Sequence, residues 1–205
     1  MGRVSDAKER LMEAIAELIW TGSYGTTTID QICDKAGVKK GSFYYFFKSK
    51  AELAEASIEV EWAKYRATLD NVFSASISPL ERLKNYCQLA YTEQVQLKKE
   101  HGYVLGCPLC TLGAEVSTQE SGLRKKVEEI MRKSRSYVET AIRDAQAEKS
   151  VSVKDAGDAA RIVYAYMEGL LTQARIQNNV DLLKDMSRGV FMILGVREKA
   201  LLAAC

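Results

Sequence analysis

Two sets of residues in this chain have the types and spacing to do chemistry. The first is Lys39-Lys40-Gly41-Ser42 followed by Tyr44, Tyr45 and Lys50. Ammonium and hydroxyl donors beside a glycine suit phosphate oxygens and the edges of bases. The second is Cys107-Pro108-Leu109-Cys110, two thiols one helical turn apart, suited to alkylation or disulfide exchange. Sets that would support catalysis are missing. There is no Ser-His-Asp arrangement, metal-ligand spacing or glycine-rich phosphate loop, and a single histidine, His101, leaves little for general-base work. A zinc site would need four ligands, and no second C-x-x-C accompanies Cys107 and Cys110. Thioredoxin-like chemistry would need a βαβ setting. No enzyme activity, cofactor or metal is therefore expected.

The first set needs two short helices and a tight turn to present it, and the residues around it supply them. Thr28 is a good N-cap, and Gln31 three residues on completes a capping box. Ile29, Ile32, Cys33 and Ala36 form one apolar face, and Gly37 suits the left-handed conformation that ends the helix. A turn of about three residues leads to a second helix starting near Lys39. This is a helix-turn-helix. From Lys35 to Lys50 there are five lysines (Lys35, Lys39, Lys40, Lys48, Lys50) and no acid, whereas the whole chain carries only +2. Thr28 is placed for a phosphate contact at a helix N-terminus. Tyr44, Tyr45 and Lys50 are placed to hold a phosphate backbone, Lys39, Lys40 and Ser42 to reach base edges, and Gly41 to let the backbone approach. The competing reading makes the lysines a solvated face and the aromatics core, and it is preferred for Phe43 and Phe47.

The rest of the chain reads as helix. Its 205 residues are 47% hydrophobic and 27% charged, enough for one large core or two small ones, and only Pro79 and Pro108 interrupt. Ser5 can cap a first helix through Leu11, Ile15, Leu18 and Ile19 that ends at Gly22. Ser49 and Glu52 form a second capping box, opening a long helix to about Phe73. Ser78-Pro79-Leu80-Glu81 starts another, to about Lys99. A short helix near Leu109 to Val116, then runs at Leu123–Lys149, Val153–Gln177 and Asp181–Ala203, bring the count to about nine. The N-terminus has no apolar signal region and no stretch is long enough to cross a bilayer, so a cytoplasmic protein with mostly free thiols is expected.

At Thr28, Ile32, Ala36, Gly37, Val38, Gly41, Tyr44, Phe47, Lys50 and Leu53 the chain resembles the TetR/AcrR family of bacterial regulators. The resemblance covers about the first 55 residues. It implies an all-α protein with a three-helix DNA-binding domain, taken as residues 1–50, and a ligand-binding and dimerisation domain, taken as 51–205. It also implies a homodimer formed largely by the last two helices, a double-stranded, palindromic DNA operator and a role as a repressor. Two residues depart from the family pattern: Cys33 replaces a small alanine, and Phe46 replaces a Tyr or His that would donate to phosphate.

The run Gly106-Cys107 to Glu115-Val116 resembles the G-C-x-x-x-x-L-x-A-E segment of a subset of these regulators, some of which sense electrophiles or oxidants through the matching cysteine. Pro108 at the first helical position would put Cys107 at the N-cap, where the helix dipole favours thiolate, with Cys110 a resolving thiol. The alternative is that both cysteines only pack. Tyr86, Tyr103, Met131, Tyr137, Tyr164 and Met167 are candidates to line a pocket for an unidentified small-molecule effector, with ordinary core the preferred reading for each. Two other functions compete with the regulator: a thiol redox enzyme using Cys107 and Cys110, and a nonspecific architectural DNA binder.

Overall fold

The computed structural model describes residues 2–196, and among them there are nine α-helices and no strand. The helices are α1 (Gly2–Thr21), α2 (Ile29–Ala36), α3 (Lys40–Phe46), α4 (Lys50–Val72), α5 (Pro79–His101), α6 (Pro108–Val116), α7 (Ser121–Ala147), α8 (Ala156–Ile176) and α9 (Met186–Leu194). A 3-10 turn, Val180–Leu183, precedes α9.

Local signals decide most of the boundaries. Before α4, the Ser49 hydroxyl accepts the Glu52 N–H at 3.1 Å. The Glu52 carboxylate then takes the N–H of Lys48 at 2.7 Å, one residue earlier than in the standard reciprocal box. Pro79 opens α5, and Gly102, at φ 80°, closes it. Asp155 caps α8 by accepting the Asp158 N–H at 2.8 Å.

Two expectations are corrected. The first helix begins at Gly2, ahead of the anticipated Ser5 cap. The expected single helix from Asp181 to Ala203 is broken: the Asn179 side chain accepts the Asp181 N–H and starts the 3-10 turn instead. Gly195, at φ 58°, ends α9, and the stretch from 197 onward lies outside the described residues.

Two compact units emerge, and they divide the chain elsewhere than at residue 50. The described residues up to Tyr65 join with Pro108–Met131, while Arg66–Cys107 joins with those from Arg132 on. In the first unit Leu11 and Ile15 of α1, Ile32 of α2, Phe43 of α3 and Leu53 of α4 are fully buried. Leu112 and Val116 of α6 and Leu123 and Val127 of α7 bury in the same core. Four such side chains, at about 1.5–3 kcal/mol each, suffice to hold α6 and the start of α7 against the reading helices. In the second unit α8 packs on α9 and α5 on α9, and Ala160, Val163, Met167, Val190, Leu194, Leu83 and Cys87 are buried. Arg82 of α5 is buried there with every donor group placed. Its Nε donates to Ile77 O at 2.7 Å, one terminal nitrogen to Asp144 at 2.6 Å and the other to Ala75 O at 3.3 Å.

Candidate nucleic-acid interface

The reading device begins with a complete capping box. Thr28 Oγ1 accepts the Gln31 N–H at 3.2 Å, and Gln31 Oε1 accepts the Thr28 N–H at 2.8 Å. At the other end of α2 Gly37 sits at φ 62°, a conformation in which a Cβ would be strained. The N–H groups of Gly37 and Val38 return to Asp34 O and Cys33 O at 3.1 and 3.0 Å. The chain is thereby turned within three residues, and α3 starts with Lys39, Lys40 and Gly41 exposed and Ser42 half-buried. No Cβ neighbour lies within 4 Å of Gly41, so nothing obstructs an approach there.

Aromatic residues on α3 divide by face. Phe43 and Phe47 are 0% and 3% exposed, while Tyr44 and Tyr45 are 56% and 76% exposed. The buried pair anchors α3, and the exposed pair presents two phenols. Phe46 is half-buried against the same core, which gives the phenyl ring a packing role in place of a hydrogen bond. Cys33 is buried, and desolvation raises its thiol above the usual range.

The five lysines are not equivalent. Lys35 pairs with Glu17 at 2.8 Å and Lys40 with Asp30 at 2.7 Å, both on the surface. The side chains of Lys39 and Lys48 are exposed and have no ion pair among the described residues. Lys50, expected at phosphate, has its ammonium donating to the carbonyls of Tyr24 and Thr27 at 2.6 and 2.9 Å and lying over the Tyr24 ring. Burial pushes its pKa down from the ordinary lysine value, against the pull of Glu115 and Glu120.

The loop between α1 and α2 has a further partner that pattern reading did not assign. Glu115 accepts from the Ser23 hydroxyl and the Gly25 N–H, each at 2.6 Å, and from the Tyr24 N–H at 2.9 Å. Burial works to raise the Glu115 pKa, but these hydrogen bonds and Lys50 carry it below the usual carboxylate value. Burial and the neighbouring Glu120 push the Tyr24 phenol up to about 12. The only sequence signal for Glu115 was its place in the A-E segment, which names no contact.

Cys107 immediately precedes Pro108, the first residue of α6, and is half-buried, as is Cys110. Neither is in a disulfide. The peptides leading into Cys107 are held by buried Gln94. Its carbonyl oxygen accepts the N–H groups of Leu105 and Gly106 at 3.0 and 2.8 Å, and its amide donates to Gly106 O at 3.2 Å. Arg175 donates to Leu105 O at 2.8 Å. Cys87 of α5, by contrast, is buried, and desolvation pushes its thiol up to about 12.

The six candidate pocket residues occupy different settings among the described residues. A pocket of about 240 Å³ in the second unit is lined by Phe73, Arg82, Ser136, Tyr137, Thr140 and Ala141. Tyr137 alone of the six lines it, with its hydroxyl donating to Asp70; Tyr86 adjoins it through the Phe73 ring, 5.3 Å away. Tyr164 and Met167 are buried in α8, Met131 packs against the core of the first unit, and Tyr103 is 65% exposed.

The sequence matches two family models, "Bacterial regulatory proteins, tetR family" over residues 11–57 and "Tetracyclin repressor-like, C-terminal domain" over residues 79–190. An uncharacterized HTH-type transcriptional regulator of Lactococcus lactis is 29% identical over 189 residues, spanning 87% of this chain and 92% of that one. The transcriptional regulator AcuR of Cereibacter sphaeroides is 28% identical over 184 residues, spanning 89% and 82%. Among solved structures, a regulatory protein TetR from Rhodobacter sphaeroides superimposes with a TM-score of 0.81 at 26% identity, covering 91% of this chain and 98% of that one. The reduced form of Escherichia coli NemR shares the fold, with a TM-score of 0.81 at 22% identity over 94% and 99% of the two chains. No described helix is long and apolar enough to cross a membrane. The turn that places α3, the exposed face it presents and these matches at both ends lead to one conclusion: the chain belongs to the TetR family and is a DNA-binding transcriptional regulator.

Proposed function

We propose that two copies of the chain bind a palindromic operator in the cytoplasm and repress transcription there until a thiol or a small ligand signals release. The observation that carries the operator reading is the exposed start of α3, held from beneath by Phe43 and Phe47 and turned outward at Gly37. Lys39, Lys40 and Ser42 reach base edges, while Tyr44, Tyr45 and the start of α2 at Thr28 hold phosphates. Lys50 braces the loop behind them. Dimer formation is supported by α8, where Ile162, Gly169 and Ile176 recur every seven residues on one face and are all exposed. Met192 of α9 is 74% exposed. Two relatives, NemR of Escherichia coli and KstR2 of Mycobacterium tuberculosis, are named as repressors.

Selection of bound duplexes from a randomised pool tests this. The expected product is an inverted repeat whose half-sites lie one helical turn apart, about 34 Å, bound by an even number of protomers. Equal affinity for the selected and a scrambled duplex would replace the operator reading with an architectural one.

For the release signal, the half-buried thiol of Cys107 at the start of α6 supports the thiol route. The first free N–H groups of a helix favour an anion there, and the peptides before it are fixed by Gln94 and Arg175. For the ligand route, the second unit offers a pocket of about 240 Å³ lined by Phe73, Arg82 and Tyr137. Operator release by N-ethylmaleimide should be lost in Cys107→Ser and kept in Cys110→Ser. Equal release of wild type and Cys107→Ser would remove Cys107 as the sensor.

A further inference from the structure

The loop that precedes the reading helices is held by two side chains of opposite charge, and one of them comes from about ninety residues away. Glu115, near the end of α6, takes the loop's donors: the Ser23 hydroxyl and the N–H groups of Tyr24 and Gly25. Lys50, at the start of α4, takes the loop's acceptors: the carbonyls of Tyr24 and Thr27. The fit at Gly25 is close, since a Cβ there would lie 2.9 Å from the Glu115 carboxylate. The residue that follows the clamped segment is Thr28, the N-cap of α2. Helix α2 in turn packs on α3, with Ile32 and Phe43 fully buried in one core. The chain of contacts runs from a carboxylate through three donors and a capping box to a packed core.

We infer that Glu115 is a positioning residue for DNA binding, and that α6 acts on operator affinity through this carboxylate. It touches no base. It sets where α2 begins, and the packing of α2 on α3 carries that setting to the face that meets DNA. The inference rests on the DNA-binding function and not on the proposed release signal. Should the latter fail, the Glu115 contact remains.

Charge and positioning predict opposite signs, which makes the inference separable from a plain electrostatic effect. A carboxylate near a polyanion is repulsive, so removing its charge alone would tighten binding to every duplex. Loss of positioning weakens binding to the selected sequence and leaves nonspecific binding almost as it was.

The experiment uses the full-length protein with two probes of equal length, the duplex selected by wild type from a randomised pool and its scrambled counterpart. Affinity is measured by fluorescence anisotropy at fixed salt for wild type, Glu115→Gln, Glu115→Ala and Ser23→Ala, alongside amide hydrogen exchange of the 22–28 segment. Glu115→Gln keeps the shape of the side chain and guards against a folding defect in Glu115→Ala. Both Glu115 variants should weaken binding to the selected duplex tenfold or more, change binding to the scrambled duplex less than threefold, and speed exchange at Tyr24 and Gly25. Ser23→Ala, which removes one of three hydrogen bonds, should weaken it less. An unchanged affinity for the selected duplex, equal changes on both duplexes in either direction, or unchanged exchange at Tyr24 and Gly25 would overturn the inference.

Discussion

Lys50 Nζ lies 2.6 Å from the carbonyl oxygen of Tyr24 and 4.1 Å from the centre of the same residue's ring. One ammonium thus satisfies a backbone acceptor and a π-face together, and it adds the Thr27 carbonyl at 2.9 Å. Hydrogen bonds from a charged donor contribute about 1.5–3 kcal/mol each, less where solvent reaches the pair. Lys50→Met, which keeps most of the stem, should therefore lower the unfolding free energy by about 1–3 kcal/mol in urea titration. Because the ammonium is turned to the loop, the slope of log affinity against log salt should stay as in wild type. A flatter slope would return Lys50 to the phosphate contacts.

Lys39 has the opposite signature. Its side chain is exposed and makes no ion pair among the described residues, so nothing has to be broken before it meets DNA. Lys39→Ala should leave stability within about 0.5 kcal/mol of wild type. If its partner is phosphate, the salt slope falls by about 1; if it is a base edge, selectivity at one position relaxes instead. Measuring affinity for single-base variants of the selected duplex over a salt series separates the two.

What was legible in the sequence was local. The Thr28 and Gln31 box, the Gly37 stop, the Ser49 cap and the Pro79 start each depend on residues within four positions, so type and spacing were enough. Phe43 and Phe47 are buried and Tyr44 and Tyr45 exposed, in line with residue type, apolar ring against phenol. Contacts between distant segments had no such signal. Lys50 read as one more basic residue beside the reader, because nothing in its neighbours reports that the Tyr24 and Thr27 carbonyls face it. Glu115 reaches Ser23 across ninety-two positions. The grouping of α6 with the reading helices arises from the burial of Leu112 and Val116, which periodicity shows to be apolar without saying what they meet. Tyr103 is an aromatic residue whose type alone does not say where it lies, and on its connection it is 65% exposed.

Glu93 of α5 offers a pH test. Burial pushes its carboxyl from the ordinary glutamate range up to about 7. The folded state therefore holds the proton more tightly than the unfolded state, and stability falls as pH rises from about 4.5 to about 7. Glu93→Gln removes the charge that burial disfavours. It should be near neutral at pH 5 and stabilising at pH 8 by about 1–3 kcal/mol, since each tenfold difference in proton affinity between the folded and unfolded states is worth about 1.4 kcal/mol. Urea unfolding at the two pH values reads the difference, and an equal effect at both would show that the charge is not what matters.

The turn into Cys107 is held by a glycine at positive φ and by the buried Gln94 side chain. Gly106 sits at φ 65°, and a Cβ there would come within 3.3 Å of the Leu171 carbonyl oxygen. Gly106→Ala should cost about 1–3 kcal/mol. Gln94 is buried and serves two N–H groups and one carbonyl, so Gln94→Leu removes three hydrogen bonds and should cost at least about 2 kcal/mol. Thiol-selective labelling gives a second readout. Both variants should change the labelling rate of Cys107 while leaving buried Cys87 protected, and unchanged labelling at Cys107 would separate the turn from its chemistry.

Ile162 and Ile176, two turns either side of Gly169, leave α8 with an apolar stripe facing solvent. Gly169 has nothing within 4 Å of where its Cβ would be, so a second helix can approach the backbone there. Exposed apolar rows of this kind cost little singly and much when contiguous, and association is the ordinary way to cover them. Ile162→Glu and Ile176→Glu place like charges on a face that would meet its own copy. Each should raise the dimer dissociation constant tenfold or more by sedimentation, without unfolding a core to which neither side chain contributes. Operator binding should then depend on protein concentration more steeply than in wild type, because each protomer alone brings one reading head to a two-fold site. A variant that stays dimeric at micromolar concentration and binds with wild-type steepness would move the interface off this stripe.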